Sequence, residues 1–197
     1  MLVRGLRNIL LALSLSLAFV GPQAFAASGD TLNFRFSPIL LVVGFAAINV
    51  DYAVAPNWTV GPQLHYWNFN LKNTNSDTFD EIKINAFGAG VRANWFKNGN
   101  YTDGLYVGPA LIYSSVKVTG TDALGIDYEG TGSGAFLSCL VGYGWFWDSF
   151  NMMLGGGATA GLGDTKVKVK DSLGNEDEYN SNPGGGLALE FSLGWTF

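Results

Sequence analysis

Apolar side chains fall at every second position from residue 187 to the end of the chain. Leu187, Leu189, Phe191, Leu193, Trp195 and Phe197 share one register; Ala188, Glu190, Ser192, Gly194 and Thr196 share the other. A period of two is the signature of a β-strand whose faces meet different surroundings. The same period marks out eight segments in all: 32–43, 45–54, 58–70, 82–96, 105–119, 134–147, 151–163 and 185–197. In the fourth, Phe87, Ala89, Val91, Ala93 and Trp95 alternate with Ala86, Gly88, Gly90, Arg92 and Asn94. In the sixth, Leu137, Cys139, Val141, Tyr143, Trp145 and Trp147 alternate with Ser138, Leu140, Gly142 and Gly144.

Two architectures use such strands. A soluble sandwich buries the apolar face and wets the other; a membrane barrel turns the apolar face to lipid and the small or polar face inward. A face in water should be rich in Lys, Glu and Thr. Here the second face is mostly Gly, Ala and Ser, which suits the narrow interior of a small barrel. The expected fold is therefore all-β, a single antiparallel up-and-down transmembrane barrel of eight strands.

The first 26 residues stand apart. Arg4 and Arg7 precede an apolar run from Ile9 to Val20, and Ala24-Phe25-Ala26 follows. This is the pattern of a cleaved export signal, and the run is shorter than the roughly 20 residues of a spanning helix. The expected division is a signal peptide at 1–26 and a barrel at 27–197. Of 11 Lys and Arg, loss of Arg4 and Arg7 leaves 9 against 16 acids, a net charge of −7. Such a chain is a poor nucleic-acid binder, because phosphate contacts need clustered Lys and Arg. A single cysteine rules out an internal disulfide, and one Cys with one His builds no Cys/His metal cluster. No cofactor is expected. Cys139, between Leu137 and Val141 on the oily face, reads as a small hydrophobe.

Connections alternate in length, as outer-membrane barrels require. With the mature N-terminus taken as periplasmic, the turns 55–57, 97–104 and 148–150 are short and inside, while 71–81, 120–133 and 164–184 are long and outside. Aromatic residues collect at the periplasmic strand ends: Phe34, Tyr52, Trp58, Trp95, Trp145, Trp147, Trp195 and Phe197. Amphipathic rings settle at the headgroup level, so these read as a girdle.

With these features the mature chain resembles the small eight-stranded outer-membrane proteins of the OmpX, OmpW and OmpA-transmembrane type. The pieces Val60-Gly61-Pro62 and Val107-Gly108-Pro109 are similar to ones in many members. The resemblance implies an integral place in the outer membrane of a diderm bacterium. It also implies a role for Phe197 as the aromatic end of the signal read by the outer-membrane assembly machinery.

The inward register carries Arg35, Asn49, Asp51, Gln63, His65, Arg92, Asn94 and Glu190. Unpaired charge is costly in a low-dielectric lumen, so Arg35, Asp51, Arg92 and Glu190, with His65, are expected to form a charge cluster that plugs the barrel. The competing reading is a gate or ion path. His65 lies in Gln63-Leu64-His65-Tyr66-Trp67-Asn68, without the serine two positions on that the lipid A deacylase type carries. No nucleophile beside a base is visible, and an enzyme is not expected. The acidic outer stretches 73–77, 80–81 and 176–178 lack the spacing of an EF-hand and read as solvated loops. Lys166, Lys168 and Lys170 share one face of a strand above the membrane, where lipopolysaccharide phosphates are a candidate partner.

From 39 to 47 both faces are apolar. Pro38, Leu40, Val42 and Phe45 are therefore candidates for a subunit or lipid contact, since a strand of this kind is covered on both sides. The expected function is a non-enzymatic integral barrel with a structural or surface-interaction role and a plugged lumen; the alternative is a porin-like homo-oligomer holding lipid or transporting solute. Val141→Arg should be costly on the lipid face, and the inward Gly142→Ser cheaper.

Overall fold

The computed structural model describes residues 31–38, 44–72, 79–122, 127–172, 174–181 and 184–197. The signal segment, Leu40, Val42 and the acidic stretch 73–77 lie outside them. Ten antiparallel strands follow in chain order: β1 (Leu32–Phe36), β2 (Phe45–Ala55), β3 (Trp58–Lys72), β4 (Phe79–Phe96), β5 (Gly104–Asp122), β6 (Asp127–Trp147), β7 (Phe150–Leu162), β8 (Thr165–Asp171), β9 (Glu176–Ser181) and β10 (Gly185–Thr196).

Eight of them form a ring. Each of β1 to β6 pairs with the next, β7 pairs with β10, and β10 returns to β1 through Asn33↔Thr196 to Phe36↔Leu193. Beyond β10 the backbone continues the closure, with Phe197 N donating to Leu32 O at 2.8 Å and Thr31 N donating to Phe197 O at 2.9 Å. A ring leaves no open edge within the membrane, where an unpaired backbone group has no water to turn to.

The distribution of side chains is inverted relative to a soluble domain. Arg35, Asn33, Asn94 and Asn151 are wholly buried, whereas Leu111, Leu137, Val141 and Leu154 are each about half exposed (50–54%). Buried polar groups inside and bare aliphatic groups outside are stable only where the surrounding solvent is hydrocarbon. The alternation assigned from sequence therefore holds strand by strand.

Two expectations change above the membrane. The stretches 71–81 and 120–133, expected as loops, hold strand wherever they are described: β3 runs to Lys72, β4 begins at Phe79, β5 runs to Asp122 and β6 begins at Asp127. The ladder simply continues there, from Thr119↔Glu129 to Thr121↔Asp127 and from Leu71↔Ile82 to Lys72↔Glu81. The long outer connection 164–184 holds the hairpin β8–β9: β8 is the strand expected from the alternation of Lys166, Lys168 and Lys170, β9 lies in the acidic stretch expected as solvated loop, and β8 pairs with the outer part of β6 from Tyr128↔Asp171 to Gly132↔Val167. Lys166 Nζ meets Glu178 at 2.9 Å and Lys168 Nζ meets Glu176 at 3.6 Å, so the lysine row is answered by an acidic one. The structure is an eight-stranded ring with a sheet standing above it.

Candidate functional site in the barrel lumen

The inward positions of six strands converge on one layer. On β1, Arg35 donates from Nε to Asp51 Oδ2 of β2 at 2.7 Å and from Nη2 to Asp51 Oδ1 at 3.3 Å. Its Nη1 donates to Glu190 Oε1 and, at 3.0 Å, to Ser192 Oγ, both on β10. On β4, Arg92 Nη2 donates to Glu190 Oε2 at 2.7 Å and its Nε to Asn94 Oδ1 at 2.6 Å. Asn94 Nδ2 in turn donates to Asp51 Oδ1 at 3.0 Å and to Thr59 Oγ1 of β3 at 3.2 Å. From β5, Tyr106 Oη donates to Glu190 Oε2 at 2.7 Å, and its ring lies 5.6 Å from the Arg92 guanidinium.

Two guanidinium groups face two carboxylates, so the layer is neutral as a unit. Each charge makes several charge-assisted hydrogen bonds, the condition under which buried ion pairs are tolerated. β5 stands opposite β1 in the ring, and the chain Tyr106–Glu190–Arg35 crosses from one wall to the other. An eight-stranded barrel has little more room than its own side chains need.

Glycines make that room. A Cβ at Gly108 would stand 2.7 Å from Arg92 Nη2, one at Gly142 would stand 2.6 Å from Tyr106 Cε1, and ones at Gly155 and Gly88 would run into Tyr106 and His65. The small residues of the inner register are thus the counter-shapes of the large ones.

The base is closed separately. Phe96 and Phe146 pack edge to face at 6.0 Å, with Tyr106 above and Met153 beside them. The β4–β5 turn folds beneath the ring. Tyr101, buried and held at φ +57°, donates from Oη to Asp51 O at 2.9 Å, and Asn100 N donates to Pro56 O at 2.8 Å. A non-glycine residue at positive φ is uncommon, and here tertiary contacts hold it.

Of the residues singled out from sequence, Arg35, Asp51, Arg92 and Glu190 meet in this layer. His65 does not join them. It lies nearer the outer mouth, its ring 6.2 Å from that of Phe45. Phe45 carries the parity of Ala47, Asn49 and Asp51 and packs edge to face on Trp67 at 5.5 Å, so it lines the lumen mouth and is no outward contact. Pro38 is half-buried. Tyr52, Trp58, Trp147, Trp195 and Phe197 are exposed and Trp95 and Trp145 half-buried, all at the end of the short turns; Trp195 packs against Phe150 at 5.4 Å. Tyr106, Ser192, Thr59 and Tyr101 complete the lumen and were not singled out. Tyr106 was legible from its place between the outward Leu105 and Val107.

Chemically the layer is saturated. Ser192 Oγ touches Arg35 and Glu190, with no imidazole beside it to act as a base. Among the described residues no group of three or more His, Cys, Asp or Glu could hold a metal ion.

No family model and no curated relative matches the sequence. Among solved structures, a major outer membrane protein from Thermus thermophilus is similar, with a TM-score of 0.60 and 10% identity over 85% of this chain and 99% of that one. Acinetobacter baumannii CarO also matches, with a TM-score of 0.42 and 12% identity over 85% of this chain and 97% of its own. The first likeness is one of fold, and it agrees with the ring, its polar interior and its apolar exterior: the chain has the fold of an outer-membrane β-barrel protein.

Proposed function

We propose that the protein is a non-enzymatic, integral barrel of the outer membrane of a diderm bacterium, closed to ions, whose role lies in the sheet above the membrane. The observation that carries this reading is the bridge Tyr106–Glu190–Arg35, which joins opposite walls of the lumen, with Arg92 and Asp51 neutralising it. An open path for ions needs charges that face water and exchange partners. Here every charged group is engaged by another, and the aromatic floor of Phe96, Phe146 and Tyr101 lies below. The strands β3, β4, β5, β6, β8 and β9 leave the membrane as a continuous sheet, a large surface offered to the exterior.

Planar-bilayer recording tests the proposal. The wild-type barrel should show no steady single-channel current. Large, persistent openings would replace this reading with the porin-like one. Lipids of the outer leaflet cover the apolar band in this reading, and assembly into the membrane uses the closing strand β10 with Phe197.

A further inference from the structure

Above the plug the two faces of the wall exchange character. On the outer face the rows turn polar, with Thr119 beside Glu129 and Glu129 beside Lys170. On the inner face they turn apolar. One row runs Trp67, Ala86, Val116, Gly132, Val167 and Tyr179 across β3, β4, β5, β6, β8 and β9; the next runs Phe69, Ile84, Val118, Gly130, Val169 and Asp177. Aromatic rings stand on the β3 side, valines on the β5 and β8 strands, and glycines between them on β6.

This inner face is an apolar trough. Trp67 is 52% and Phe69 43% exposed, although both point away from the lipid. Contiguous apolar surface that faces water marks a binding surface. The glycines here differ from those lower down. Gly108, Gly142 and Gly155 are filled by Arg92 and Tyr106. A Cβ at Gly130 would meet only Val118 O, at 3.9 Å, and one at Gly132 would come no nearer than 3.5 Å to Val167 Cγ2. The trough therefore has room that the described side chains do not use.

At its base lies a polar row. His65, Gly88, Ser114 and Gly134 pair in line, and Thr165, two residues before Val167 on β8, stands at the same height. Ser114 Oγ donates to Phe87 O at 3.3 Å. Thr165 is buried, and its Oγ1 has no hydrogen-bond partner among the described residues. The His65 ring lies over Gly88 and against Phe45, and it too makes no hydrogen bond to the described residues. A buried hydroxyl without a partner is costly and calls for one.

Charge and size narrow the ligand. The three rows carry no Lys or Arg, and the uppermost ends on Asp177, so nothing answers an anionic head. The bore of an eight-stranded barrel admits one small ligand at most. From Ser114 to Val118 the wall climbs roughly 9 Å, at about 3.3 Å per residue and a tilt near 45°.

We propose that the trough binds an uncharged amphipath, a medium-length aliphatic chain with a hydroxyl head. The head sits in the row of His65, Ser114 and Thr165, whose imidazole and hydroxyls offer both donors and acceptors. The chain lies upward against Trp67, Phe69, Val116 and Val118. This orientation, head down and chain up, is the reverse of the outer-leaflet lipid on the other side of the wall. The inference rests on the reading that this sheet stands outside the membrane above a closed lumen.

The probe is a diazirine-bearing analogue of 1-octanol, photolysed with the full barrel in phospholipid nanodiscs and mapped by peptide mass spectrometry. Label should fall within 65–69 and 114–118, and an excess of 1-octanol should remove it. Label on Leu111 and Leu137, at the lipid face, should persist, because a bulk bilayer does not saturate. Octanoate should compete about tenfold or more weakly than 1-octanol. Gly132→Leu, which fills the trough, should lower the displaceable label about tenfold or more. Phe69→Ser, which removes part of the apolar wall, should lower it as well, and Leu137→Ala should leave it unchanged. Heat-modifiable migration in gels establishes that each variant is folded. Trough label that 1-octanol does not displace overturns the proposal. So does undiminished label in the folded trough variants, or equal competition by octanoate. Bilayer currents in the same preparations address the closed lumen separately, so a conducting barrel would sink that reading and leave the labelling result standing.

Discussion

Tyr106 Oη donates to Glu190 Oε2 at 2.7 Å across the lumen, and the tyrosine reaches that position through space left by Gly142 and Gly155. An inner-register glycine is therefore not a vacant site. From sequence alone Gly142→Ser looks mild, because a small polar side chain joins a polar face. The structure gives it a cost of its own: the new Cβ would lie 2.2 Å from the Leu154 carbonyl oxygen and 2.6 Å from the Tyr106 ring, whereas at Gly132 the nearest atom is Val167 Cγ2 at 3.5 Å.

Gly142→Ser should accordingly destabilise the barrel by about 1–3 kcal/mol, the usual cost of overpacking, while Gly132→Ser should be close to neutral. Urea unfolding in lipid vesicles measures both. Equal stabilities would mean that neither Tyr106 nor the Leu154 carbonyl crowds the inner side of Gly142.

Val141, one residue away, probes the other face. It is 54% exposed and sits in the middle of the apolar band between Cys139 and Tyr143. Val141→Arg should cost about 2–4 kcal/mol. A neutral result in the same assay would place this position outside the hydrocarbon.

These two neighbours show what the sequence discloses and what it does not. The alternation around Val141 identifies the lipid face without any knowledge of the rest of the chain, because each strand carries its own record of its two solvents. What lies opposite Gly142 depends on Tyr106, far earlier in the chain, and on a register that no local pattern encodes. Arg35, Asp51, Arg92 and Glu190 were legible as inward charges from parity and as near neighbours from their height. His65 has the same parity, but it sits higher, against Phe45, where shape and not charge fixes it. Of the hairpin β8–β9, the first strand was legible in the alternating lysines, while the second was obscured by composition: the acidic run Glu176–Glu178 resembles loop, and the pairing of Lys166 with Glu178 across the two strands emerges only from their register.

That exposed pair gives the hairpin a pH signature. The Glu178 carboxyl is held below its ordinary value by its hydrogen bond and charge contact with Lys166, and the Lys166 ammonium is held above its own by the same carboxylate. The Glu178 contribution is present above the ordinary glutamate pKa and is lost as pH falls through the lowered one. The Lys166 contribution is present below the ordinary lysine pKa and is lost as pH rises through the raised one. Protection of β8 and β9 in hydrogen exchange, corrected for the intrinsic rate, should therefore be broad around neutrality and fall at acid pH. Glu178→Gln should flatten the acid limb, and added salt should weaken the effect. An unchanged acid limb in the variant would assign the loss to other groups.

Phe197 lies on the seam of the ring, its backbone bonded to Leu32 and Thr31 and its side chain exposed. Deleting it removes these closing hydrogen bonds together with an aromatic at the headgroup level. The yield of heat-modifiable barrel in the outer membrane should fall, with the remainder degraded in the periplasm. Undiminished yield would show that β1 and β10 close without it.

The pairing of Arg92 with Glu190 at 2.7 Å allows the plug itself to be measured. Arg92→Met leaves one guanidinium against Asp51 and Glu190; Glu190→Gln leaves two against Asp51 alone. Either variant strands a net charge in the lumen, and removing one partner of a buried pair costs about 3–5 kcal/mol. With both changes the layer is neutral again, because Arg35 retains Asp51. The double variant should then be less destabilised than the two single costs combined, by on the order of 1–3 kcal/mol of coupling. Additive energies would mean that the two side chains do not sense each other. The same variants separate packing from charge in the bilayer: Arg92→Met also vacates the space beside Gly108, so intermittent small currents should appear in it while the wild type stays silent. If Glu190→Gln conducts as readily as Arg92→Met, loss of the bridge and not loss of volume opens the lumen, and the seal resides in the hydrogen bonds of Glu190 to Arg35 and Tyr106.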